Sequence, residues 1–203
     1  MNDARKLTEH QLDALREVAN IGAGHAATAL SQMTGQRIMI SVPRVNVAPL
    51  EEVPNQITEK EEPVAAVLMR MMGDLTGMTL LVFPQSAALQ VAGLMMRKKV
   101  TTMGEIEKSA IKEAGNILGS AYMNALAEFM GMILLPSPPQ LEVDLSDAIF
   151  TSTYLESAKG TDLVFVVESE FFLKEMNVAL RGFFFLLPDT ASLEQILKAI
   201  RLG

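Results

Sequence analysis

The sequence predicts an α+β domain built from two tandem pseudo-symmetric repeats, each a long helix, several antiparallel strands and a short closing helix. Three observations predict it. Residues 13–43 align without gaps on 109–139 at a constant offset of 96, with Ala14, Glu17, Asn20, Ile21, Ala29, Leu30, Gly35, Ser41 and Pro43 each meeting an identical residue. The later parts correspond as well: GMTLLVFPQSAALQ from Gly77 resembles GFFFLLPDTASLE from Gly182. Within each unit a helical apolar period gives way to short runs rich in Val, Ile and Phe, an order that lays long helices on one face of an antiparallel sheet. The expected organisation is one domain over 1–203, made of repeats at about 8–100 and 102–203.

The elements follow in chain order. Thr8 with Gln11, and Thr102 with Glu105, have the spacing of capping boxes and open the two long helices. Leu12, Leu15, Ala19, Gly22, Ala26, Ala29 and Met33 keep a helical period, as do Ile111, Ala114, Leu118, Ala121, Ala125 and Phe129. Gly35 and Gly131 supply the left-handed residue that ends a helix. Segments 36–48, 64–71 and 75–83, then 140–145, 163–173 and 177–187, read as strands. The short helices begin after PQS and PDT, where Ser86, Asp189 or Thr190 can cap them. The acidic stretch EEVPNQITEKEEP reads as a solvated loop.

Composition narrows the function. The 203 residues are 49% hydrophobic, enough for a sizeable core. There are no cysteines, which removes disulfides, thiolate zinc sites and cysteine nucleophiles and fits a reducing, cytoplasmic setting. The charged start MNDARKLTEHQ does not resemble a signal peptide, and no apolar run has the length of a membrane helix, so no membrane insertion is expected. A net charge of −7, with RKK at 97–99 the main basic cluster, argues against nucleic acid. Proteins or small molecules are the expected partners. The 14 methionines suit both adaptable packing and interaction surfaces.

The repeated polar pair carries the chemistry. At about 100° per residue, Asp13, Glu17, Asn20 and Gly24 share a stripe roughly 60° wide, away from the apolar face, and Ser109, Glu113, Asn116 and Ser120 repeat it. A small residue one turn beyond each Asn leaves room for another molecule's backbone. A carboxylate can act as a base or pair with a cation, while a carboxamide offers a donor and an acceptor without titrating, which suits it to orient a water. Phosphoryl hydrolysis needs such positioning. The sequence has no Gly-rich phosphate loop and no metal-ligand cluster, so no metal site is assigned and any Mg²⁺ is expected to arrive with the substrate. The alternative is a solvated helix face copied along with its unit. Asn in mid-helix is a mediocre helix former, however, and asks for a reason in both copies.

The pattern Asp/Ser-x-x-x-Glu-x-x-Asn followed by 22 residues and Pro, written as Asp13, Glu17, Asn20, Pro43 and again as Ser109, Glu113, Asn116, Pro139, resembles the signature of the CheC-type chemotaxis phosphatases. EVANIGAGHAATAL, PPQL at 138–141 and DAIF at 147–150 extend the likeness over the chain. The resemblance implies dephosphorylation of the phospho-aspartate of the response regulator CheY. Asn20 and Asn116 would position water, Glu17 and Glu113 would pair with the regulator's lysine, and Asp13 and Ser109 would support them. Mg²⁺ would be held in the regulator's own site. A CheX-like member typically carries one such signature, and FliY-like members add a C-terminal domain for which the residues after Pro188 leave no room. The CheC subgroup also implies binding of the receptor deamidase CheD. Asp144 and Phe150, in PPQLEVDLSDAIF, are the candidate docking residues, against the simpler reading of an edge strand running into a short packed helix. The rival to catalysis is a binding module that sequesters CheD or phosphorylated CheY. GAG at 22–24 falls inside the helical period and is read as close packing, and the isolated His10 and His25 are assigned no role.

Overall fold

The computed structural model describes residues 7–57, 62–156, 163–173 and 178–202. The long helix α1 (Glu9–Thr34) leads into strand β1 (Ile38–Pro49), a short 3-10 turn (Leu50–Glu52) and helix α2 (Pro54–Ile57). Strands β2 (Pro63–Gly73) and β3 (Gly77–Pro84) form a hairpin, closed by α3 (Gln85–Met96). The second unit repeats the order with α4 (Glu105–Met130), β4 (Leu134–Pro136), β5 (Gln140–Leu145), α5 (Ser146–Glu156), β6 (Leu163–Leu173), β7 (Val178–Pro188) and α6 (Thr190–Leu202).

Among the described residues, seven strands form one antiparallel sheet in the order β1-β6-β7-β3-β2, with β4 and β5 end to end along the outer edge of β2. The central pair, β3 and β7, joins the two units. Each unit also gives its leading strand to the other: β1 pairs with β6, and β5 pairs with β2.

The centre of the sheet, β2 and β3 with the adjoining parts of β6 and β7, is buried on both faces, whereas the sequence reading covered one. Ala65, Val67, Met69 and Met71 of β2 join the core beneath α1, α3, α4 and α6. Val64, Ala66 and Leu68, alternating with them, pack with Leu50, Val53, Ile57, Ile149 and Phe150 from α2, α5 and their flanks. Side chains alternate sides along a strand, so burial on both sides demands the unbroken apolar runs PVAAVLM and GMTLLVF in place of an alternating pattern. The acidic stretch after Leu50 is accordingly not all loop. Val53 and Ile57 anchor its first half in this second core, and residues 58–61 lie outside the described part.

The ends of the helices test the capping expectations one by one. Thr8 and Gln11 close a reciprocal capping box on α1, with the Gln11 N–H donating to Thr8 Oγ1 at 3.3 Å and the Thr8 N–H to Gln11 Oε1 at 2.9 Å. On α4 the expected Thr102 and Glu105 give way to Gly104 and Glu107, two residues later: the Gly104 N–H donates to Glu107 Oε2 at 3.2 Å, and Lys98 holds the same carboxylate. Gly35 (φ 66°) and Gly131 (φ 64°) end the long helices in the left-handed conformation. Pro84, not Ser86, precedes α3 and offers no side-chain cap. Asp189 caps α6, accepting from the Ser192 N–H at 2.8 Å. Its partial burial opposes ionisation, but the Thr76 hydroxyl and the Ser192 and Ala191 groups outweigh that and hold its carboxyl below the usual range.

Candidate functional site

The sheet-facing side of α1 is made of Leu15, Val18, Ala19, Ala23, Ala26 and Leu30, and that of α4 of Ile111, Ala114, Leu118, Tyr122, Met123 and Leu126. Met33 and Phe129, expected to continue those faces, are exposed in the last turns of the helices. The two helices also pack on each other. A Cβ at Gly22 would lie 2.8 Å from the Tyr122 ring and 3.0 Å from its Cα, so hydrogen there is what allows the approach. At its far end, α1 offers the Met33 carbonyl to the Arg97 guanidinium (3.2 Å), and the neighbouring Lys98 pairs with Glu107 in the first turn of α4 (3.4 Å). The helices therefore run antiparallel.

This arrangement fixes where the polar stripes lie. Asp13, Glu17 and Asn20 are all exposed, as is Gly24, around which a Cβ would meet nothing within 4 Å. On α4, Ser109 and Glu113 are exposed while Asn116 and Ser120 are half-buried. Counted from Gly22, the α1 stripe lies about half a turn around the helix, on the side away from the seam with α4, and the repeat places the α4 stripe likewise. The two stripes are thus back to back. With Gly22 level with Tyr122, Asn116 lies level with residue 28, eight residues from Asn20, so the two amides are about 12 Å apart along the axes.

The neighbourhoods of the two pairs differ. Asp13 accepts a charge-assisted bond from Arg16 at 2.8 Å. Ser109, its counterpart, donates its hydroxyl to the Glu105 carbonyl one turn earlier at 3.0 Å. Among the described residues no three His, Asp or Glu side chains gather as metal ligands. No helix of the described residues is long and apolar enough to cross a membrane.

Of the two proposed docking residues, Asp144 is exposed on β5, while Phe150 belongs to the core, 2% exposed and edge-on to Phe185 at 5.1 Å. Phe150 is therefore inaccessible to a partner: β5 is an edge strand that runs directly into α5, and α5 needs Phe150 to hold it on the sheet. The sequence reading missed Arg16 and its counterpart Lys112, although the same offset of 96 relates them. It also missed the buried pair of Tyr122 and Ser169, whose hydroxyls meet at 2.6 Å behind α4.

Comparison with known proteins identifies the family. The sequence model described as the CheC-like family matches residues 11–47 and 106–143, the two long helices and the strands that follow them. A Bacillus subtilis protein named CheY-P phosphatase CheC is 32% identical over 199 residues, covering 96% of this chain and 95% of that one. The B. subtilis flagellar motor switch phosphatase FliY is 34% identical over 68% of this chain, which spans 36% of that longer protein. The crystal structure of Thermotoga maritima FliY superposes with a TM-score of 0.79 at 26% identity, covering 97% of this chain and 98% of that one. Since the identity runs nearly end to end and the matched segments carry both Glu-x-x-Asn helices, the chain belongs to the CheC-like family.

Proposed function

We propose that this chain hydrolyses the phospho-aspartate of the chemotaxis response regulator CheY, with Glu17 and Asn20 on α1 and Glu113 and Asn116 on α4 as two catalytic pairs. The observation that carries this reading is that both pairs lie on helix faces turned away from the seam, with Glu17, Asn20 and Glu113 exposed and Asn116 half-buried beside Glu113. A relative named for this activity, 32% identical over 96% of the chain, supports it.

In the reaction, a water attacks phosphorus in line with the acyl oxygen. The P–O bond to the aspartate breaks, the aspartate leaves as its carboxylate, and the attacking water becomes a hydroxyl of inorganic phosphate, its other proton passing to a phosphoryl oxygen. The Asn amide holds that water in line through one acceptor and one donor. The Glu carboxylate pairs with the regulator's lysine and fixes the angle of approach. Asp13 and Ser109 support the first turn of each face. The Mg²⁺ belongs to the regulator's site and supplies charge neutralisation for the phosphoryl oxygens. The reading places the protein in the cytoplasm with its substrate. CheD, as a second partner, would dock at the exposed β5 strand around Asp144, clear of both faces.

The test is the double variant Asn20→Ala with Asn116→Ala, assayed with phosphorylated CheY and Mg²⁺. Loss of turnover in a folded protein, with partial turnover in each single variant, is the expected result. Full turnover in the double variant would refute the water-positioning role. Binding of the phosphorylated regulator by the unsubstituted chain without any hydrolysis would favour the binding module.

A further inference from the structure

Arg16 precedes Asn20 by four residues and Lys112 precedes Asn116 by four, so in both units a cation sits one helical turn before the amide and beside it on the surface. Their surroundings differ. Arg16 is drawn to Asp13 at 2.8 Å, and its Nε is buried without a hydrogen-bond partner, so the guanidinium is committed to one carboxylate while its other donor goes unused. Lys112 has no ion-pair partner within 4.0 Å among the described residues. The position that would hold its carboxylate is Ser109; Glu105, two turns back, is paired with Lys108 at 2.8 Å and feels the Lys112 charge only weakly and without contact.

The chain as a whole carries a charge of −7, and each stripe presents a glutamate. An acyl phosphate is itself anionic, so an acidic helix face that approaches one is repelled unless a local cation offsets the field. We propose that Arg16 and Lys112 are specificity-determining residues that steer the phosphorylated, anionic site of the partner onto each face, and that Asp13 mutes this on α1 while Ser109 leaves it in force on α4. The inference rests on the phosphatase reading and adds an electrostatic difference between the two faces. Charges at the rim of an interface act on encounter and on salt dependence, not on the chemical step. The effect therefore belongs in KM, and it weakens as salt shortens the Debye length.

Single-face enzymes test this, with phosphorylated CheY and Mg²⁺ as the probe. In the chain carrying Asn116→Ala, which leaves the α1 face, adding Asp13→Ser lowers KM about threefold at low salt, and the gain disappears near roughly 0.5 M salt. In the chain carrying Asn20→Ala, which leaves the α4 face, Ser109→Asp and Lys112→Met each raise KM by about the same factor, whereas Lys112→Arg does not. A KM that stays fixed in all of these, or a fall confined to kcat, overturns the steering role alone. Failure of both single-face enzymes to turn over any phosphorylated regulator overturns the phosphatase reading, and this one with it.

Discussion

Tyr122 shows how one residue can tie the helix pair to the sheet. Its ring stacks on Phe184 at 4.7 Å, its Cα stands against Gly22, and its hydroxyl meets that of Ser169 inside the core. Burial pushes the phenol from its ordinary 10.0 up to about 12, against the smaller opposing effect of the Ser169 bond. Because the folded value lies above the unfolded one, the protonated phenol's contribution is complete below pH 10 and is lost as pH rises toward 12. Two pKa units correspond to about 2.7 kcal/mol. Alkaline denaturation should therefore steepen between pH 10 and 12, and Tyr122→Phe should remove that steepening while lowering stability near neutrality by roughly 1–2 kcal/mol through the orphaned Ser169 hydroxyl. A denaturation series across that pH range, read by circular dichroism, checks both. At this scale the sequence showed the Glu and Asn of each stripe because an exact repeat singled them out from a solvated surface. Tyr122 left no such trace, since its counterpart in the first unit is Ala26 and its partner Ser169 lies 47 residues away.

At the scale of elements, β5 and α5 decide between two roles for one segment. Asp144 is solvent-exposed on the edge strand, whereas Phe150, six residues on, fills the core against Phe185. Phe150→Ala should cost about 3–5 kcal/mol through lost burial and the cavity left behind, with a fall in Tm of roughly 10 °C. Asp144→Lys should leave Tm and dephosphorylation of CheY unchanged and, on the docking proposed for CheD, weaken that binding; unaltered CheD affinity would refute the proposed docking site. Calorimetry on the two variants separates these outcomes. The strands themselves were legible to within a few residues because their apolar runs are long and bounded by Gly and Pro. The strand β4 escaped because three residues carry no period, and its pairing to Met71–Gly73 is purely tertiary. The cap of α4 was misjudged because Thr102 and Glu105 have the right spacing, yet the Lys98–Glu107 pair favours starting the helix at Glu105 with Glu107 turned back onto Gly104. Residues 50–57 looked like loop because acids surround Val53 and Ile57, whose burial depends on a second core that no local pattern reveals.

The whole molecule is governed by the exchange of leading strands. Without the second unit, β1 loses β6 and β3 loses β7; without the first, β5 loses β2. Residues 1–100 and 102–203 expressed separately should each stay unfolded or aggregate, and together they should recover the far-ultraviolet spectrum and activity of the intact chain. Independent folding of either half would show that the exchange is not essential. The intact chain should unfold in one cooperative step for the same reason.

That exchange also bears on descent. Duplication ordinarily sets one copy free to be lost once the other suffices, and here the helix face can be redundant while the strand behind it cannot. A lineage in which one Glu-Asn pair decays must still keep the framework that displayed it, because deleting the copy would take an edge of the sheet from its sibling. Spent chemistry is then carried as architecture, and a bare helix surface of this shape becomes raw material on which a new partner can be selected without any change to the fold.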